Sequence, residues 1–159
     1  MAPKPPQFAF RPMTQRDAED IASWQYPDEY AFYNWDADPA DLAELLDANA
    51  RTNQYFTVTD PAGSVIGFFQ YKPPQQDRLE IGLGLHPALT GRGFGLPFVE
   101  SGLEFARGCF QPKTFTLSVA SFNHRAIAIY MRAGFTVART YTHWTNGAEW
   151  EFTEMTRLA

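Results

Sequence analysis

Apolar residues alternate with polar ones in two kinds of segment, and their spacing separates predicted strands from predicted helices. A period of two predicts strands at residues 8–12, 55–59, 65–72, 79–85 and 115–119. Two further predicted strands, at residues 137–144 and 149–156, flank Asn146-Gly147, a pair typical of a tight β-hairpin. In the strand at 79–85, leucine and isoleucine occupy one face, whereas Glu80 and two glycines occupy the other.

Helix signals lie between these strands. Thr14 precedes a first helix with acidic residues in its first turn, and Asp38 precedes a second helix predicted over residues 39–48. A longer helix follows the fourth strand, and a last helix lies between Asn123 and Gly134. Strands that alternate with helices but also form hairpins predict the α/β class, with a mixed sheet flanked by helices.

Length and composition restrict the kind of protein. The 159 residues suit one domain, residues 1–159, with a proline-rich start at 1–7 that is predicted to be flexible. The single Cys109 excludes an internal disulfide, and because the histidines lack metal-ligand spacing we expect no metal. No apolar run is long enough for a membrane helix, and the start lacks the apolar core of a secretory signal. We therefore expect no membrane partner and a cytoplasmic location.

The net charge of −5 is unevenly distributed. Residues 1–50 carry ten acidic and three basic side chains, a balance of −7, whereas residues 51–159 have a balance of +2. A uniformly basic face is absent from this pattern, so we expect no nucleic-acid partner. The asymmetry favours a cationic ligand near the first third of the chain and an anionic one further on. The alternative, that the acidic residues only keep helical surfaces soluble, is equally open.

A glycine-rich connection between a strand and a helix is the most specific feature. Residues 85–96 read Leu-His-Pro-Ala-Leu-Thr-Gly-Arg-Gly-Phe-Gly-Leu. Such glycines let a ligand approach the backbone, and a helix N-terminus adds partial positive charge that suits a phosphate. The loop lacks the Lys-Ser/Thr of a P-loop and the spacing of a dinucleotide fingerprint. A tight connection without a ligand is the alternative on this loop alone.

A second motif follows, and the two together resemble a known family. Residues 123–135 read Asn-His-Arg-Ala-Ile-Ala-Ile-Tyr-Met-Arg-Ala-Gly-Phe. The pair resembles the Gcn5-related N-acetyltransferase (GNAT) superfamily, whose first motif is Arg/Gln-x-x-Gly-x-Gly/Ala and whose second contains Asn, Ala-Ile, Tyr and Gly-Phe. Residues 80–82 and 85–87 are similar to the strand that leads into the first motif, and the element order resembles the family over nearly the whole chain. One departure is Thr90 at the usual Arg/Gln position, for which Arg92 could compensate.

The resemblance implies a mixed, mostly antiparallel central sheet flanked by helices. Two of its strands would splay apart, and acetyl-CoA would enter the gap. Its pyrophosphate would meet the glycine loop, and its pantetheine would pair with a strand edge. The residues implied in cofactor binding are Leu83, Leu85, Arg92, Gly93, Phe94, Gly95, Leu96 and Asn123.

Two residues are candidates for the chemistry. Direct acetyl transfer needs a neutral amine and a proton for the departing thiolate, but no enzyme nucleophile. The resemblance implies that Tyr130 faces the sulfur, and a phenol with a pKa of ~10 suits the role of acid. Glu80 could deprotonate the amine directly or through water. The alternatives are a core aromatic ring for Tyr130 and a solvated or ion-paired carboxylate for Glu80.

Residues 24–36 form an irregular segment rich in aromatic and acidic side chains. The resemblance implies that this segment covers the acceptor site, where rings and carboxylates would attract a cation. The candidate substrate-binding residues are Trp24, Tyr26, Asp28, Glu29, Tyr30, Tyr33 and Asp36. The alternative is a second small core beneath a long loop. His143, Trp144 and Glu149, near the last hairpin, could form the opposite wall.

These features lead to one functional hypothesis and two alternatives. We expect an acetyl-CoA-dependent N-acetyltransferase that moves an acetyl group directly to a primary amine of a cationic small molecule. One alternative acceptor is a protein or peptide N-terminus. The alternative of another class is a non-catalytic acyl-CoA-binding sensor domain. The expected partners are acetyl-CoA and an amine acceptor, with the protein a monomer or homodimer.

Overall fold

The computed structural model describes residues 7–159, so the flexible start predicted at 1–7 lies, apart from Gln7, outside the described residues. Within this range the strands are Ala9–Pro12 (β1), Tyr55–Thr59 (β2), Val65–Tyr71 (β3), Arg78–Leu85 (β4), Thr114–Ala120 (β5), Thr136–Thr145 (β6) and Ala148–Leu158 (β7). The helices are Gln15–Ala22 (α1), Pro39–Leu46 (α2), Ala48–Arg51 (α3), Gly95–Phe110 (α4) and His124–Arg132 (α5).

The strands form one sheet with the order β1-β2-β3-β4-β5-β7-β6. Only the pair β4–β5 is parallel among the pairs of the described chain. The predicted mixed, mostly antiparallel sheet flanked by helices is therefore confirmed. At the last hairpin, Asn146 and Gly147 both have positive φ (52° and 75°), which matches the twist of the flanking strands.

Apolar side chains cover both faces of the sheet and form two cores. The larger core packs α4 against the sheet through residues such as Phe98 and Leu103, and it includes Leu79 and Ile81 of β4. The smaller core packs the α1 and α2 side, where Ile21 and Leu45 are fully buried. Because side chains alternate along a strand, Glu80 and the glycines of β4 face the α1 and α2 layer.

The second helix is shorter than the sequence predicts. One helix is expected over residues 39–48, but α2 ends at Leu46 and α3 begins at Ala48. Asp47 between them has an extended backbone, and its carboxylate accepts a hydrogen bond from the Asn49 N–H at 2.9 Å. A side chain that caps a new helix competes with continuation of the old one, so the chain turns here.

Where the sequence predicts an irregular segment at 24–36, the chain forms two short 3₁₀ turns, Asp28–Tyr33 and Trp35–Ala37. We refer to residues 24–37 as the 3₁₀ segment. It leaves α1 and leads directly into α2. Asp38 caps α2, because its Oδ1 accepts hydrogen bonds from the N–H groups of Ala40 and Asp41. The positions of α1 and α2 on the sheet therefore determine where this segment lies.

A buried carboxylate attaches α1 to the sheet. Asp17 forms a capping box with Thr14, accepts a hydrogen bond from the Thr57 hydroxyl of β2 at 2.9 Å, and pairs with Arg11 at 2.9 Å. Burial by itself raises the pKa of Asp17, but the hydrogen bonds from the Thr14 backbone, Arg11 and Thr57 outweigh burial and lower the pKa overall.

We predict that Asp17→Asn destabilises the fold in a pH-dependent way. Since the folded-state pKa is below the unfolded one, ionised Asp17 stabilises the fold above the ordinary pKa, and this contribution disappears as the pH falls through the folded value. The variant should lose roughly 1–3 kcal/mol of unfolding free energy at pH 7. The difference from wild type should shrink below pH ~4.

Urea denaturation at pH 7 and pH 3 measures this difference. Asp20→Asn, an exposed position of the same helix, is the control and should have little effect at either pH. A deficit of Asp17→Asn that stays the same at both pH values would contradict the electrostatic explanation.

Candidate active site

The strands β4 and β5 pair over three residues each, from Arg78 with Thr114 to Glu80 with Thr116, and then separate. The Glu80 carbonyl accepts a hydrogen bond from the Lys72 N–H at 3.0 Å, and the His86 N–H donates to the Ile66 carbonyl at 2.8 Å. Both residues therefore direct their backbone groups toward the β3 side. Because the backbone groups of successive residues point to opposite sides, those of Leu83 and Leu85 face the gap. These are the two residues that the resemblance implies for pantetheine.

The facing edge belongs to β5. The N–H of Ser121, directly after β5, donates to the Glu151 carbonyl on the β7 side at 3.0 Å. By the same alternation, the backbone groups of Ser118 and Ala120 face the gap. The site is therefore a cleft through the sheet, with backbone donors and acceptors on both of its sides.

Two tyrosines of the 3₁₀ segment reach this cleft from the α1 and α2 side. The Tyr26 hydroxyl donates a hydrogen bond to the Leu85 carbonyl at 2.8 Å. The Tyr33 oxygen accepts a hydrogen bond from Asn123 Nδ2 at 3.2 Å and also faces the N–H of Ala120. One segment thus contacts the β4 edge through Tyr26 and the β5 edge through Tyr33.

The glycine loop lies at the end of β4. Gly91 and Gly93 have φ of 74° and 83°, values that favour glycine, and α4 begins at Gly95. A Cβ on Gly93 would meet no other side chain or backbone of the described residues within 4 Å. A Cβ on Gly95 would lie 2.6 Å from Ile129 Cδ1 of α5. Gly93 thus shapes the loop, whereas Gly95 allows α5 to approach the start of α4.

Two arginines stand near this loop. Arg92 within it is exposed, and the side chain of Thr90 donates to the Pro87 carbonyl, so Thr90 stabilises the turn. Arg125 was not singled out by sequence, but its Nη1 lies 4.0 Å from the position of a Cβ on Gly91. The signal that could have identified it is its place in the first turn of α5, two residues after the capping Asn123.

The predicted acid, Tyr130, lies on α5. Its ring packs edge-on against Phe135, with 6.1 Å between ring centres. Burial raises the pKa of Tyr130 well above its ordinary value, and proximity to Tyr33 raises it further. The phenol is therefore protonated at neutral pH.

The predicted base, Glu80, lies where the pairing of β4 with β5 ends. Its Oε2 forms an ion pair with Lys72 Nζ at 2.7 Å, and both side chains are about half exposed. The ion-paired alternative for Glu80 is thus present, and its role as a base stays a prediction.

The other predicted substrate-binding residues are in three environments. Trp24 is only 4% exposed and packs against Phe68 and His86, so it belongs to the smaller core. Tyr30 has the Arg125 guanidinium 4.2 Å from its ring centre. The remaining three, Asp28, Glu29 and Asp36, are exposed and form no ion pair with another residue of 7–159.

The β6–β7 turn contacts this segment through residues next to the predicted wall of His143, Trp144 and Glu149, all three of which are exposed. Asn146 Nδ2 donates to the Phe32 carbonyl at 2.7 Å, and the Thr145 hydroxyl donates to Asp38 Oδ2 at 2.9 Å. The Phe32 ring packs against Trp150 with 4.9 Å between ring centres. Phe32 is thus packed among aromatic rings, so part of the segment matches the alternative prediction of a small core beneath a long loop.

Within residues 7–159, no group of three or more His, Cys, Asp or Glu side chains is arranged to hold a metal ion. No helix in the same range combines the length and apolar character needed to span a membrane.

Comparison with known families assigns the chain. The acetyltransferase (GNAT) domain family matches residues 7–136, which is most of the sequence. The chain belongs to this family, so the resemblance based on the two motifs is confirmed.

Curated relatives include two mycothiol acetyltransferases. That of Streptomyces bingchenggensis is 30% identical over 133 residues, covering 80% of this chain and 43% of that protein. That of Propionibacterium freudenreichii subsp. shermanii is 32% identical over 85 residues, covering 51% of this chain and 27% of that protein. The chain thus spans less than half the length of these relatives.

Solved structures share the fold. The spermidine N-acetyltransferase of Vibrio cholerae in complex with CoA and spermine superposes with a TM-score of 0.72 at 20% identity, over 96% of this chain and 95% of that one. A GNAT-family acetyltransferase from Bacillus anthracis gives a TM-score of 0.77 at 12% identity, over 98% and 96%. These likenesses confirm the fold.

We predict that Gly93→Val weakens CoA binding about tenfold or more, a loss of ~1.4 kcal/mol. A β-branched residue is disfavoured at φ 83°, so the loop must change conformation and its N–H groups turn away from a phosphate. Calorimetric titration with CoA measures the affinity.

The matched control is Gly63→Val. Gly63 has φ 86°, and a Cβ there would, as at Gly93, have no neighbour among residues 7–159 within 4 Å. It lies in the remote β2–β3 turn. The Gly63→Val substitution therefore imposes a similar backbone strain without changing the glycine loop. Equal CoA affinity for folded Gly93→Val and wild type would place the phosphate site elsewhere.

Proposed function

We propose that the protein is an N-acetyltransferase that moves an acetyl group from acetyl-CoA directly to a primary amine of a cationic small molecule, in the cytoplasm. The observation that carries this proposal is the cleft itself. The free edge of β4 runs into a glycine loop at the start of the 16-residue helix α4, and a protonated, partly buried Tyr130 lies on the neighbouring helix α5.

The described residues fit acetyl-CoA as a substrate. The loop around Gly93 and the N-terminus of α4 offer backbone N–H groups to a pyrophosphate, with Arg92 and Arg125 as cations. The backbone groups of Leu83 and the N–H of Leu85 suit the amides of pantetheine, because an extended chain can pair with an open strand edge. The Leu85 carbonyl already accepts from Tyr26. Asn123 borders the same cleft from the start of α5.

The chemistry assigns each proton a place. The amine arrives as an ammonium ion and loses a proton to Glu80, directly or through water, which frees its lone pair to attack the thioester carbonyl. The C–N bond forms, the C–S bond then breaks, and the thiolate takes its proton from Tyr130. The surplus proton that the nitrogen still carries passes to the Tyr130 phenolate, and Glu80 releases the first proton to solvent. Lys72 Nζ lies 2.7 Å from Glu80 Oε2 and holds this carboxylate in place.

A small cationic acceptor is supported by charge and by enclosure. The first fifty residues carry a balance of −7, and the exposed acids of the 3₁₀ segment are among them. The contact of Asn146 with Phe32 closes the segment against the β6–β7 turn, which favours a closed site over a groove open at both ends for a peptide. The names of the relatives, mycothiol and spermidine acetyltransferases, support the same choice.

One experiment separates the proposed enzyme from a sensor domain. The protein is incubated with acetyl-CoA and a panel of polyamines, aminoglycosides, amino sugars and N-terminal peptides. Free-thiol release reports turnover, and mass spectrometry identifies the acetylated product. Tight CoA binding without thiol release from any amine would contradict the enzyme and favour the sensor. A peptide as the preferred acceptor would contradict the small-molecule part.

We predict that Tyr130→Phe lowers kcat by ~10²-fold or more and leaves CoA affinity nearly unchanged, because the thiolate loses its acid while the binding contacts remain. Tyr71→Phe is the matched control. It also removes a buried hydroxyl, which donates to the Gly102 carbonyl beneath α4, away from the cleft. An unchanged kcat with chemistry shown to be rate-limiting would eliminate this role.

We predict that the three exposed acids raise the affinity for the amine. Asp28→Asn, Glu29→Gln or Asp36→Asn should raise the amine KM more than it lowers kcat. The wild-type amine KM should also rise with salt, because the Debye length shrinks from ~30 Å at 0.01 M to ~10 Å at 0.1 M. Glu104→Gln on α4, across the sheet, is the control. Amine kinetics indifferent to all three substitutions would contradict the cationic site.

A further inference from the structure

Asn123 makes the Tyr33 hydroxyl oxygen a hydrogen-bond acceptor. The Asn123 side chain caps α5, so its Oδ1 accepts from the Ala126 N–H at 3.1 Å. This bond identifies the other end of the amide as Nδ2, which can only donate. Nδ2 lies 3.2 Å from the Tyr33 oxygen, so Tyr33 is the acceptor there.

Two N–H groups lie on the acceptor side of the Tyr33 oxygen, and Asn123 Nδ2 is the one that donates to it. Besides Asn123, the N–H of Ala120 on the cleft edge of β5 faces the same oxygen. A phenol oxygen accepts about two hydrogen bonds and donates one. The O–H of Tyr33 is therefore left to donate, and in the hydrogen bonds of residues 7–159 the Tyr33 hydroxyl appears only as an acceptor.

Tyr33 and Tyr130 approach the cleft from opposite layers. Tyr33 belongs to the 3₁₀ segment on the α1 and α2 side, whereas Tyr130 lies on α5. The two phenols are close enough that ionisation of Tyr33 would raise the pKa of Tyr130. A group held in the cleft would thus have one tyrosine hydroxyl from each layer.

Tyr33 also keeps its proton at neutral pH. Burial raises its pKa, and this effect outweighs the lowering by Asn123 and by the Ala120 amide. A protonated phenol whose oxygen already accepts a hydrogen bond from Asn123 is a preorganised donor, the type of group that stabilises an oxygen on which negative charge develops.

We propose that the Tyr33 O–H donates a hydrogen bond to the thioester carbonyl oxygen of bound acetyl-CoA, with Asn123 as the residue that positions it. The proposal rests on the proposed acetyl transfer. As the amine attacks the carbonyl carbon, the π electrons of the C=O bond move to its oxygen, and the Tyr33 hydrogen bond strengthens. They return as the C–S bond breaks, and Tyr33 retains its proton throughout.

The first test is spectroscopic and needs no turnover. Acetyl-CoA labelled with ¹³C at the carbonyl is bound without amine, and its C=O stretch is recorded by isotope-edited infrared difference spectroscopy. A hydrogen bond lowers this frequency, so the band of Tyr33→Phe should lie at higher wavenumber than that of wild type. The control Tyr71→Phe, whose hydroxyl donates to Gly102, should match wild type. Identical bands for wild type and Tyr33→Phe would overturn the proposal.

The second test uses Asn123→Asp, which separates positioning from folding. Aspartate caps a helix as well as asparagine does, so α5 keeps its cap. A carboxylate cannot donate, and it would instead accept the Tyr33 proton and turn the O–H away from the cleft. The carbonyl band of Asn123→Asp should shift in the same direction as that of Tyr33→Phe, and an unshifted band would contradict the positioning role.

Kinetics then give the size of the effect. Tyr33→Phe should lower kcat by about 10²-fold, the range found for loss of one such donor, with little change in CoA affinity. The double variant with Asn123→Asp should be no slower than Tyr33→Phe, because both remove one hydrogen bond. A kcat of Tyr33→Phe within about threefold of wild type, with chemistry rate-limiting, would overturn the proposal.

The two levels of proposal fail in different ways. Acetyl-CoA binding with a shifted band but no turnover of any amine would contradict the proposed function and leave the Tyr33 hydrogen bond supported. Turnover with no band shift would contradict the Tyr33 role alone. Absence of acetyl-CoA binding to the wild type would overturn both.

Discussion

A sheet in which two neighbouring strands stop pairing has to satisfy the backbone groups that this leaves behind. Such a group costs about 1–3 kcal/mol when it is buried without a partner. In this protein the pairing of β4 with β5 ends at Glu80 and Thr116, in the middle of a sheet covered on both faces. Polar partners must therefore come from outside the sheet, and the tyrosine hydroxyls of the 3₁₀ segment supply them at Leu85 and Ala120.

The two layers of helices make that interruption possible. The core under α4 fixes β4 from one side through Leu79 and Ile81, and α1 is fixed on the other side by the buried Asp17. Each strand also retains its outer partner, β3 for β4 and β7 for β5. The strands can thus separate along their shared edge while the rest of the sheet stays continuous, which leaves an extended backbone edge available for binding.

The features that the sequence predicted well depend on neighbours within a few residues. The caps Thr14, Asp38 and Asn123 are all in place, because each side chain bonds to an N–H two or three residues further on. The Asn146-Gly147 turn is also local. The break at Asp47 was missed although its signal is local, because an aspartate within an apolar helical pattern is compatible with both continuation and a new cap.

Contacts in the site between residues far apart in the chain were harder to predict from the sequence. The two motifs predicted the family, the fold and the loop, since those residues occur at characteristic spacings. The link from Asn123 to Tyr33 joins residues 90 positions apart, and no period or spacing encodes it. The same holds for Arg125 over the ring of Tyr30. An excess of aromatic side chains indicated the segment but could not separate Trp24, which packs in the core, from the tyrosines that reach the cleft.

The contact between Asn146 and Phe32 has a consequence for the order in which the molecule is made. These residues are 114 positions apart, and Asp38 meets Thr145 across 107. A ribosome releases the chain from its N-terminus, so the 3₁₀ segment emerges long before the hairpin that holds it. Until the hairpin is made, the segment lacks these contacts, and non-local contacts of this kind form late because loop closure must precede them. The nascent chain can therefore complete its glycine loop before the 3₁₀ segment makes its contacts with the β6–β7 turn.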